Sequence, residues 1–162
     1  MEQANPFAIP STLEYELPDF TQIKDEHYLP AFYEGCERQL AEVEKILAEP
    51  EVTFENTLVA LEQSGAMLHR MLVVFYNKSS ADTNETINSI ESEIAPKLAA
   101  HEDAIKLNPR LFQRIQDLFE KRTNLGLDSE STYLIERYYR DFVHSGAALS
   151  ESAREQLKLY NE

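Results

Sequence analysis

The residues of this sequence that could do metal or acid–base chemistry are its histidines, and none has a second histidine at helical spacing. They are His27, His69, His101 and His144. A helix face offers paired imidazoles to a metal ion only when two histidines lie three or four residues apart. His101 and Glu102 form the first half of the zinc-protease motif H-E-x-x-H, but Ile105 stands where the second histidine belongs. We therefore interpret His101 as a packed helix histidine.

Other polar pairs have a structural as well as a functional interpretation. Glu26 and His27 would suit a general base, but no nucleophile lies near them in sequence, which favours a histidine bonded to backbone in the first turn of a helix. Closely spaced carboxylates are expected by chance among 29 acidic residues, so solvated helix faces are favoured over a glycosidase pair. The examples are Glu91 with Glu93 and Glu151 with Glu155.

Aromatic and basic side chains cluster near residue 138. Tyr133, Tyr138 and Tyr139 could line a substrate groove, but packing is the favoured interpretation. Arg137 and Arg140 could receive a peptide carboxylate, but ion pairs with acidic residues three or four positions away are favoured. The sequence has no glycine-rich phosphate loop, no G-x-S-x-G and no cysteine–histidine constellation. The chemistry-bearing residues alone therefore predict no catalytic, metal-binding or cofactor-binding residue.

The composition predicts a helical protein with little affinity for polyanions. The 162 residues include 43% hydrophobic residues and only 4 glycines, which suits one helical domain with a core. The formal net charge of −14 repels phosphate backbones and anionic membranes, so we expect no nucleic-acid or membrane partner.

The termini and the single cysteine indicate a compartment. Cys36 cannot form a disulfide within one chain, and it lies on an apolar stripe. Residues 1–7 show neither a basic region nor an apolar run, so we expect no signal peptide. No stretch approaches the ~20 apolar residues that span a bilayer. These features predict a cytoplasmic protein.

The pattern along the chain predicts an extended arm at 1–22 and a helical domain of about six helices at 23–162. Pro6, Pro10 and Pro18 disfavour helix in the arm. The clearest helix begins after Thr53 and runs to about Phe75, with Gly65 inside it allowing close approach of another helix.

Caps and breakers predict the remaining helices. Asp82 or Thr83 begins a helix that Pro96 kinks or splits. Asn108-Pro109 begins the next helix, which ends by Gly126. The last two helices begin at Asp128 or Ser129 and at Ser150, and Gly146 ends the first of them. The final apolar pattern still runs at Glu162, so we expect the chain to be cut before further structure. The predicted fold is an all-α, antiparallel multi-helix bundle.

Five stretches in order resemble the N-terminal half of the thimet-oligopeptidase family of zinc metallopeptidases. The later stretches are more similar to its bacterial peptidyl-dipeptidase branch than to its oligopeptidase A branch. The first stretch joins Asn5-Pro6-Phe7 to Leu17-Pro18-Asp19-Phe20, the second is residues 23–32, the third is residues 53–57, the fourth is residues 61–65, and the fifth joins residues 127–131 to 140–143 and 146–150.

The resemblance implies a two-lobed helical enzyme several times longer than this chain, in which two halves enclose a channel for short peptides. Such an enzyme removes dipeptides from peptide C-termini, with zinc polarising the carbonyl and a glutamate activating water. Its zinc motif lies in the C-terminal half, so the resemblance transfers no catalytic position here. It implies an inactive channel-wall region that exposes apolar surface and self-associates when isolated.

Two other classes of protein remain as alternatives. A free-standing helical interaction module would present a groove to a partner helix or peptide without catalysis. A metal-storage bundle needs Glu-x-x-His pairs, and no histidine here is preceded by glutamate at that spacing.

Overall fold

A computed structural model describes residues 5–161 and shows an all-α fold, which confirms the predicted fold class. No strand occurs in this part of the chain. The helices are α1 (Tyr28–Ala48), α2 (Ala60–Gln63), α3 (Ala66–Ala81), α4 (Glu85–Lys106), α5 (Pro109–Lys121), α6 (Ser129–His144) and α7 (Glu151–Asn161). Short 3-10 turns lie at Glu14–Glu16, Asp25–His27 and Arg122–Asn124, and a π-helical turn, Glu55–Val59, leads directly into α2.

The chain divides into two compact units. Unit 1 contains the described residues up to Ala41 together with Gly65–Pro96, and unit 2 contains Glu42–Ser64 together with the described residues from Lys97 onward. The predicted boundary between an arm and a single helical domain near residue 22 stays a prediction.

Unit 1 has an aromatic and aliphatic core. The Tyr28 ring lies 5.5 Å from the Phe7 ring and 5.2 Å from the Phe75 ring, the latter edge to face. Such tilted and edge-on pairs are the favoured geometries for aromatic side chains. The other fully buried side chains of this core include Phe32, Met71, Ile87 and Ile94. They come from the apolar faces of α1, α3 and α4.

Gly35, on α1, lies against the backbone of α3. A Cβ atom built on Gly35 would stand 2.9 Å from Leu68 Cα and 3.0 Å from Leu68 Cβ. Real Cβ atoms do not approach a backbone carbon this closely, so only glycine fits. The sequence pattern predicted a close approach at Gly65, and a Cβ atom there would overlap the end of the Gln39 side chain of α1. Gly35 is a second close-approach position, which was not predicted, and its neighbour is backbone.

Gly65 also ends a helix, so the prediction of one continuous helix from Thr53 to Phe75 was wrong. Ser64 is extended (φ −71°, ψ 153°), and Gly65 is left-handed with φ 71°. A left-handed glycine is the usual way to stop a helix. The spacing of apolar residues hides the break, since Leu61 before it and Leu68 after it are both buried. The spacing of apolar residues shows which face of a helix is buried, but it does not show a change of backbone conformation at one or two residues.

The stretch Glu55–Ala81 is long and apolar enough to cross a membrane by length and composition alone, which the sequence analysis did not expect. The break at Ser64–Gly65 interrupts its helix. Leu58, Met71 and Phe75 of this stretch are fully buried in this fold, whereas Val73 is 55% exposed. A core segment of a folded chain passes the same composition test, so this finding is weak evidence for a membrane span.

Unit 2 is built around an aliphatic cluster. Its buried members are Val43, Ile46, Leu47, Leu58, Leu61, Leu111, Ile115, Leu118, Ile135, Phe142 and Ala147. They come from the end of α1, the π-helical turn and α2, α5, α6 and the turn after α6. Burial of aliphatic side chains at three- and four-residue spacing is what the sequence pattern of these helices predicts.

Several predicted helix ends are confirmed. The Asn108 side chain accepts from the backbone N–H groups of Arg110 (3.0 Å) and Leu111 (3.1 Å), with Pro109 at the first helical position. Asp128 accepts from Ser131 N–H at 2.7 Å. Gly146 is left-handed (φ 98°), and the backbone N–H of the next residue donates to Phe142 O at 3.0 Å, which closes α6 with a Schellman motif.

The helix predicted to begin at Asp82 or Thr83 is α4, and its predicted start was wrong by one or two residues. Asn84 is the cap of α4, because its Oδ1 accepts from Ile87 N–H at 2.9 Å. Asp82 instead pairs with Lys78 of α3, and Thr83 donates to Asn88. Pro96 lies inside α4 without splitting it. Proline removes one hydrogen bond to the preceding turn and its ring crowds the carbonyl four residues back, but the remaining hydrogen bonds of this long helix continue through it.

Replacing Gly35 with alanine tests the close contact between α1 and α3. Alanine favours an ordinary helix interior by about 1 kcal/mol over glycine, so the variant should be more stable if Gly35 had free space. Because the new methyl would meet the Leu68 backbone, we expect a loss of about 1–3 kcal/mol in the free energy of unfolding, measured with urea. Glu37→Ala, on the exposed side of α1, is the control and should change stability by less than about 0.5 kcal/mol. An unchanged or raised Gly35→Ala midpoint would contradict the contact.

Candidate functional site

The most highly organised polar group in the described residues is a buried arginine in unit 2. Arg114 lies on α5 and is only 8% exposed. Its guanidinium donates to two backbone carbonyls, with Nη1 2.7 Å from Glu49 O and Nη2 2.8 Å from Glu51 O. Nη2 also lies 3.1 Å from Asn56 Oδ1, and Nε lies 3.3 Å from Thr57 Oγ1. One side chain therefore joins α5 to the connection between α1 and the π-helical turn.

The acceptors around Arg114 are all neutral. No carboxylate lies within ion-pair distance of it among residues 5–161. Burial lowers the pKa of Arg114 below its ordinary value, and the more distant charges of Glu49 and Asp117 oppose this shift. Arginine remains a cation despite such a shift. The guanidinium thus binds oxygen atoms of its own chain. Because its N–H groups are used in these bonds, Arg114 is unsuited to bind a substrate carboxylate.

The acceptors belong to a compact polar turn that begins the π-helical segment. Thr53 Oγ1 accepts from Asn56 N–H (3.1 Å), and Asn56 Oδ1 accepts in return from Thr53 N–H (3.0 Å). This is a reciprocal cap of the first turn, with asparagine in place of the usual glutamate. The Asn56 amide also donates to Glu51 O at 3.0 Å, and Thr57 Oγ1 donates to Asn56 Oδ1 at 3.0 Å.

The sequence analysis missed this network, although a signal for it was present. Arg114 falls on the apolar face of α5 between Leu111 and Ile115, both of which are fully buried. A charged residue on an inward face must find partners, because burying an unsatisfied charge is costly. The second signal is the stretch 53–57, which carries part of the family resemblance and supplies the partners. Only the fold brings these two segments together.

Three open clefts lie on the surface of the described residues, one in unit 1 and two in unit 2. One cleft of unit 2, lined by Leu47 and residues of α5, has a volume of about 370 Å³. The other has a volume of about 390 Å³ beside the polar turn and contains both charge signs. It is lined by Glu42, Lys45, Ile46, Glu49, Asn56, Ala60, Gln63 and Ser64. The cleft of unit 1, of about 470 Å³, has an apolar floor from Leu29 and Ile90. Its rim is acidic, with Asp25, Glu26, Glu85 and Glu93. No histidine or cysteine lines any of these three clefts.

The histidines take structural positions. His27 Nδ1 accepts from Lys24 N–H at 3.0 Å, and His27 O accepts from the Asn5 amide at 2.9 Å. This is the backbone-bonded ring that the structural interpretation of His27 predicts. His101 is 7% exposed on α4, and burial lowers its pKa below the ordinary value of a histidine. A buried neutral imidazole packed in a helix agrees with the interpretation made from the incomplete zinc motif.

The part of the chain that the structure describes does not fit a zinc ion. Residues 5–161 contain no group of three histidine, cysteine or carboxylate side chains close enough to hold a metal. Zinc sites in proteins use three or four such ligands. The only cysteine, Cys36, is half-buried, and burial raises the pKa of its thiol to about 11, which keeps it protonated and unreactive.

The aromatic and basic residues of α6 mostly pack against their own unit. Tyr138 Oη donates to Glu62 Oε1 at 2.6 Å, and the Tyr139 ring stacks on Phe119 at 4.0 Å between centroids. Tyr133 is 59% exposed and is not part of this packing. Arg137 pairs with Asp141 at 3.6 Å, as the predicted helical ion pair requires. The predicted packing is therefore confirmed for Tyr138 and Tyr139.

Sequence comparison with known proteins identifies the group of proteins to which these stretches correspond. No protein-family model matches the chain. The chain is 40% identical over 162 residues to the dipeptidyl carboxypeptidase of Escherichia coli K12. The aligned residues cover 99% of this chain and 24% of that relative. It is 41% identical over 158 residues to the dipeptidyl carboxypeptidase of Salmonella typhimurium LT2. Here the aligned residues cover 97% of this chain and 23% of that relative. The predicted resemblance to the thimet-oligopeptidase family is confirmed.

A weaker match extends the thimet-oligopeptidase resemblance to its second branch. Oligopeptidase A of Haemophilus influenzae is 24% identical over 140 residues, which cover 86% of this chain and 21% of that relative. The higher identity to the two dipeptidyl carboxypeptidases agrees with the branch predicted from the later stretches. The chain spans about a quarter of the length of these relatives, and the match fits an N-terminal region of such a protein.

Substituting methionine for Arg114 tests the buried network. Methionine resembles the apolar stem of arginine but lacks the guanidinium. The side-chain oxygens of the buried Thr57 and the half-buried Asn56, and the carbonyls of Glu49 and Glu51, therefore lose this donor. Each lost partner costs about 1–3 kcal/mol before relaxation, so we expect a loss of about 3 kcal/mol or more in urea unfolding. Arg110→Met is the matched control on the same helix, since the Arg110 side chain is 62% exposed. Its loss should stay below about 1 kcal/mol. Equal losses for the two variants would refute the special role of Arg114.

The hydrogen bond of Tyr138 predicts a pH dependence at the alkaline end. Burial, and then the bond to Glu62, raise the pKa of Tyr138 above its ordinary value of 10.0. The folded chain therefore keeps this proton at pH values where the unfolded chain has lost it. The stability contributed by this group is complete below about pH 10 and falls as the pH rises further.

Tyr138→Phe tests this pH dependence. We expect the variant to lose about 1 kcal/mol near neutral pH and to lose less additional stability than the parent chain between about pH 9.5 and 11. Urea unfolding at each pH gives both values. Tyr133→Phe, on the same helix but 59% exposed, is the control and should follow the parent chain. A parallel decline in Tyr138→Phe and the parent chain would show that Tyr138 does not cause the alkaline loss.

Proposed function

We propose that this chain is the N-terminal helical region of a zinc-dependent peptidyl-dipeptidase or oligopeptidase that removes dipeptides from the C-termini of short peptides. The observation that carries the proposal is the 40% identity to a dipeptidyl carboxypeptidase along all of the aligned 162 residues. The all-helical fold supports it, because the resemblance implies helices throughout this region. The relatives are about four times longer, so the catalytic activity belongs to the longer protein.

Within that enzyme, the role proposed for this chain is to form part of the wall of the peptide channel. The side chains whose types could take part in catalysis instead make contacts that hold the fold, as those of His27, Arg114 and Tyr138 illustrate. Its surface clefts are open and carry polar rims, which suits contact with an extended peptide more than chemistry on it. Zinc and the groups that act with it would be supplied by residues outside this chain.

The partners and the cellular location that we propose for the enzyme follow from charge and composition. The net charge of −14 disfavours nucleic acid and anionic membranes as partners, and we propose a cytoplasmic location for the enzyme. Short peptides are the proposed substrates of the longer protein.

The test begins with the reading frame that follows the codon for Glu162. We expect it to continue and to encode H-E-x-x-H with a downstream glutamate. The longer product should release dipeptides from a blocked peptide substrate, lose activity with a chelator and regain it with zinc. The 162-residue chain should show no hydrolysis of the same substrate, measured by mass spectrometry of the products.

A matched variant checks that this region contributes no metal ligand. His101→Gln in the longer product should leave the zinc content at the level of the unsubstituted protein, measured by elemental analysis. Loss of zinc in this variant, or hydrolysis by the 162-residue chain, would overturn the channel-wall role. A stop codon directly after Glu162 would overturn the enzyme proposal and favour the helical interaction module.

A further inference from the structure

An exposed apolar loop lies near the start of the chain, between two fixed points of unit 1. We define the exposed segment as residues 9–20. Before it, Phe7 is 3% exposed against Tyr28, and its carbonyl accepts from Arg70 Nη2 at 3.1 Å. After it, the turn Asp25–His27 is closed by the bond from Lys24 N–H to the His27 ring. Both ends of the segment are thus held by contacts within unit 1.

The side chains between these fixed points are largely in solvent. The exposed fractions are 68% for Ile9, 47% for Leu13, 86% for Tyr15, 57% for Leu17 and 57% for Phe20. Single exposed apolar side chains are common on protein surfaces, but five within twelve residues are an unusual concentration of exposed apolar side chains. Stretches of this kind mark sites where another surface binds.

The backbone at the centre of the segment is also disfavoured. Tyr15 (φ 58°) and Glu16 (φ 55°) are both left-handed, although neither is glycine. Such residues persist where their surroundings hold them in place. Two backbone hydrogen bonds hold this turn, from Glu16 N–H to Leu13 O (3.0 Å) and from Leu17 N–H to Glu14 O (3.3 Å). The turn presents the Tyr15 ring outward, where it is almost fully exposed and another surface can reach it.

The charge of the segment argues against a second copy of the chain as the occupant, so the self-association expected of the isolated chain would use another surface. Glu14 and Glu16 are exposed between the apolar residues, and residues 9–20 contain no lysine, arginine or histidine. A symmetric pair would place these carboxylates against themselves, which adds like-charge repulsion to the net charge of −14 on each copy. The complementary surface is therefore apolar with basic residues at its edge.

The length of the relatives indicates what binds residues 9–20. The chain covers 24% of one dipeptidyl carboxypeptidase and 23% of the other, so about three quarters of each relative lies outside the match. We propose that residues 9–20 bind the remaining part of the same longer polypeptide, on an apolar patch edged by lysine or arginine. This inference rests on the proposed function, because it requires that longer protein. It assigns to the segment a role in joining this region to the rest of the enzyme.

Hydroxyl-radical footprinting tests the assignment on the longer product and on the 162-residue chain. The rate of oxidation at Tyr15 and Phe20 is read by mass spectrometry. We expect oxidation of both to be several-fold slower in the longer product than in the chain, and in the chain to be independent of its concentration. Slowing that increases with the concentration of the chain would identify a second copy as the occupant and overturn the proposal.

Variants of the longer product separate apolar from electrostatic binding. Leu17→Ser with Phe20→Ser should restore fast oxidation at Tyr15, and Glu14→Lys with Glu16→Lys should raise it through repulsion from basic residues. Val73→Ser, at a site 55% exposed on α3, is the control and should leave Tyr15 protected. If neither double substitution alters protection of Tyr15, the segment is not the binding surface.

The outcomes distinguish this inference from the proposed function. A longer product that releases dipeptides while Tyr15 oxidises as fast as in the chain overturns the inference and keeps the function. A longer product that protects Tyr15 but has no peptidase activity supports the inference and overturns the function. If the gene encodes no longer product, both fail.

Discussion

A cation buried among neutral oxygens organises unit 2. Arg114 lies on the inward face of α5, where its neighbours on the helix are fully buried aliphatic residues, and a charge there is tolerated only if its N–H groups are bonded. The chain meets this requirement with two carbonyls of the turn after α1 and with the side chains of Asn56 and Thr57. The course of the backbone from Glu49 to Thr57 is thus tied to the position of one helix residue.

The same contacts explain why a turn rich in polar residues can adjoin an aliphatic core. Thr57 is fully buried, yet its hydroxyl donates to Asn56 and accepts from Arg114. Leu58, the next residue, is fully buried in the aliphatic cluster. A satisfied polar network of this kind favours one arrangement over others, because alternatives leave its members without partners. Its contribution is to the shape of this region, and the region's proposed role as a channel wall depends on shape.

The sequence was a good guide where local chemistry decides the structure. Asn108-Pro109, Asp128 and Gly146 were recognised as helix ends because capping and left-handed glycine are properties of a few adjacent residues. It was a poor guide where partners are distant in the chain. Gly35 and Leu68 are 33 positions apart, and Arg114 bonds to residues more than 55 positions away, so no window of sequence shows either contact. The break at Gly65 was missed for a different reason, since apolar spacing continues across it.

The π-helical turn Glu55–Val59 sets the direction in which the following residues point. A π-helical turn contains about one residue more than an α-helical turn, and each residue of an α-helix rotates the next side chain by about 100°. Within and after this turn, Asn56 and Thr57 bond to the guanidinium, whereas Leu58 and Leu61 lie in the aliphatic cluster. Removing the extra residue would rotate every side chain that follows it in the helix relative to Asn56. The direction of the helix side chains after Val59 therefore depends on the π-helical turn.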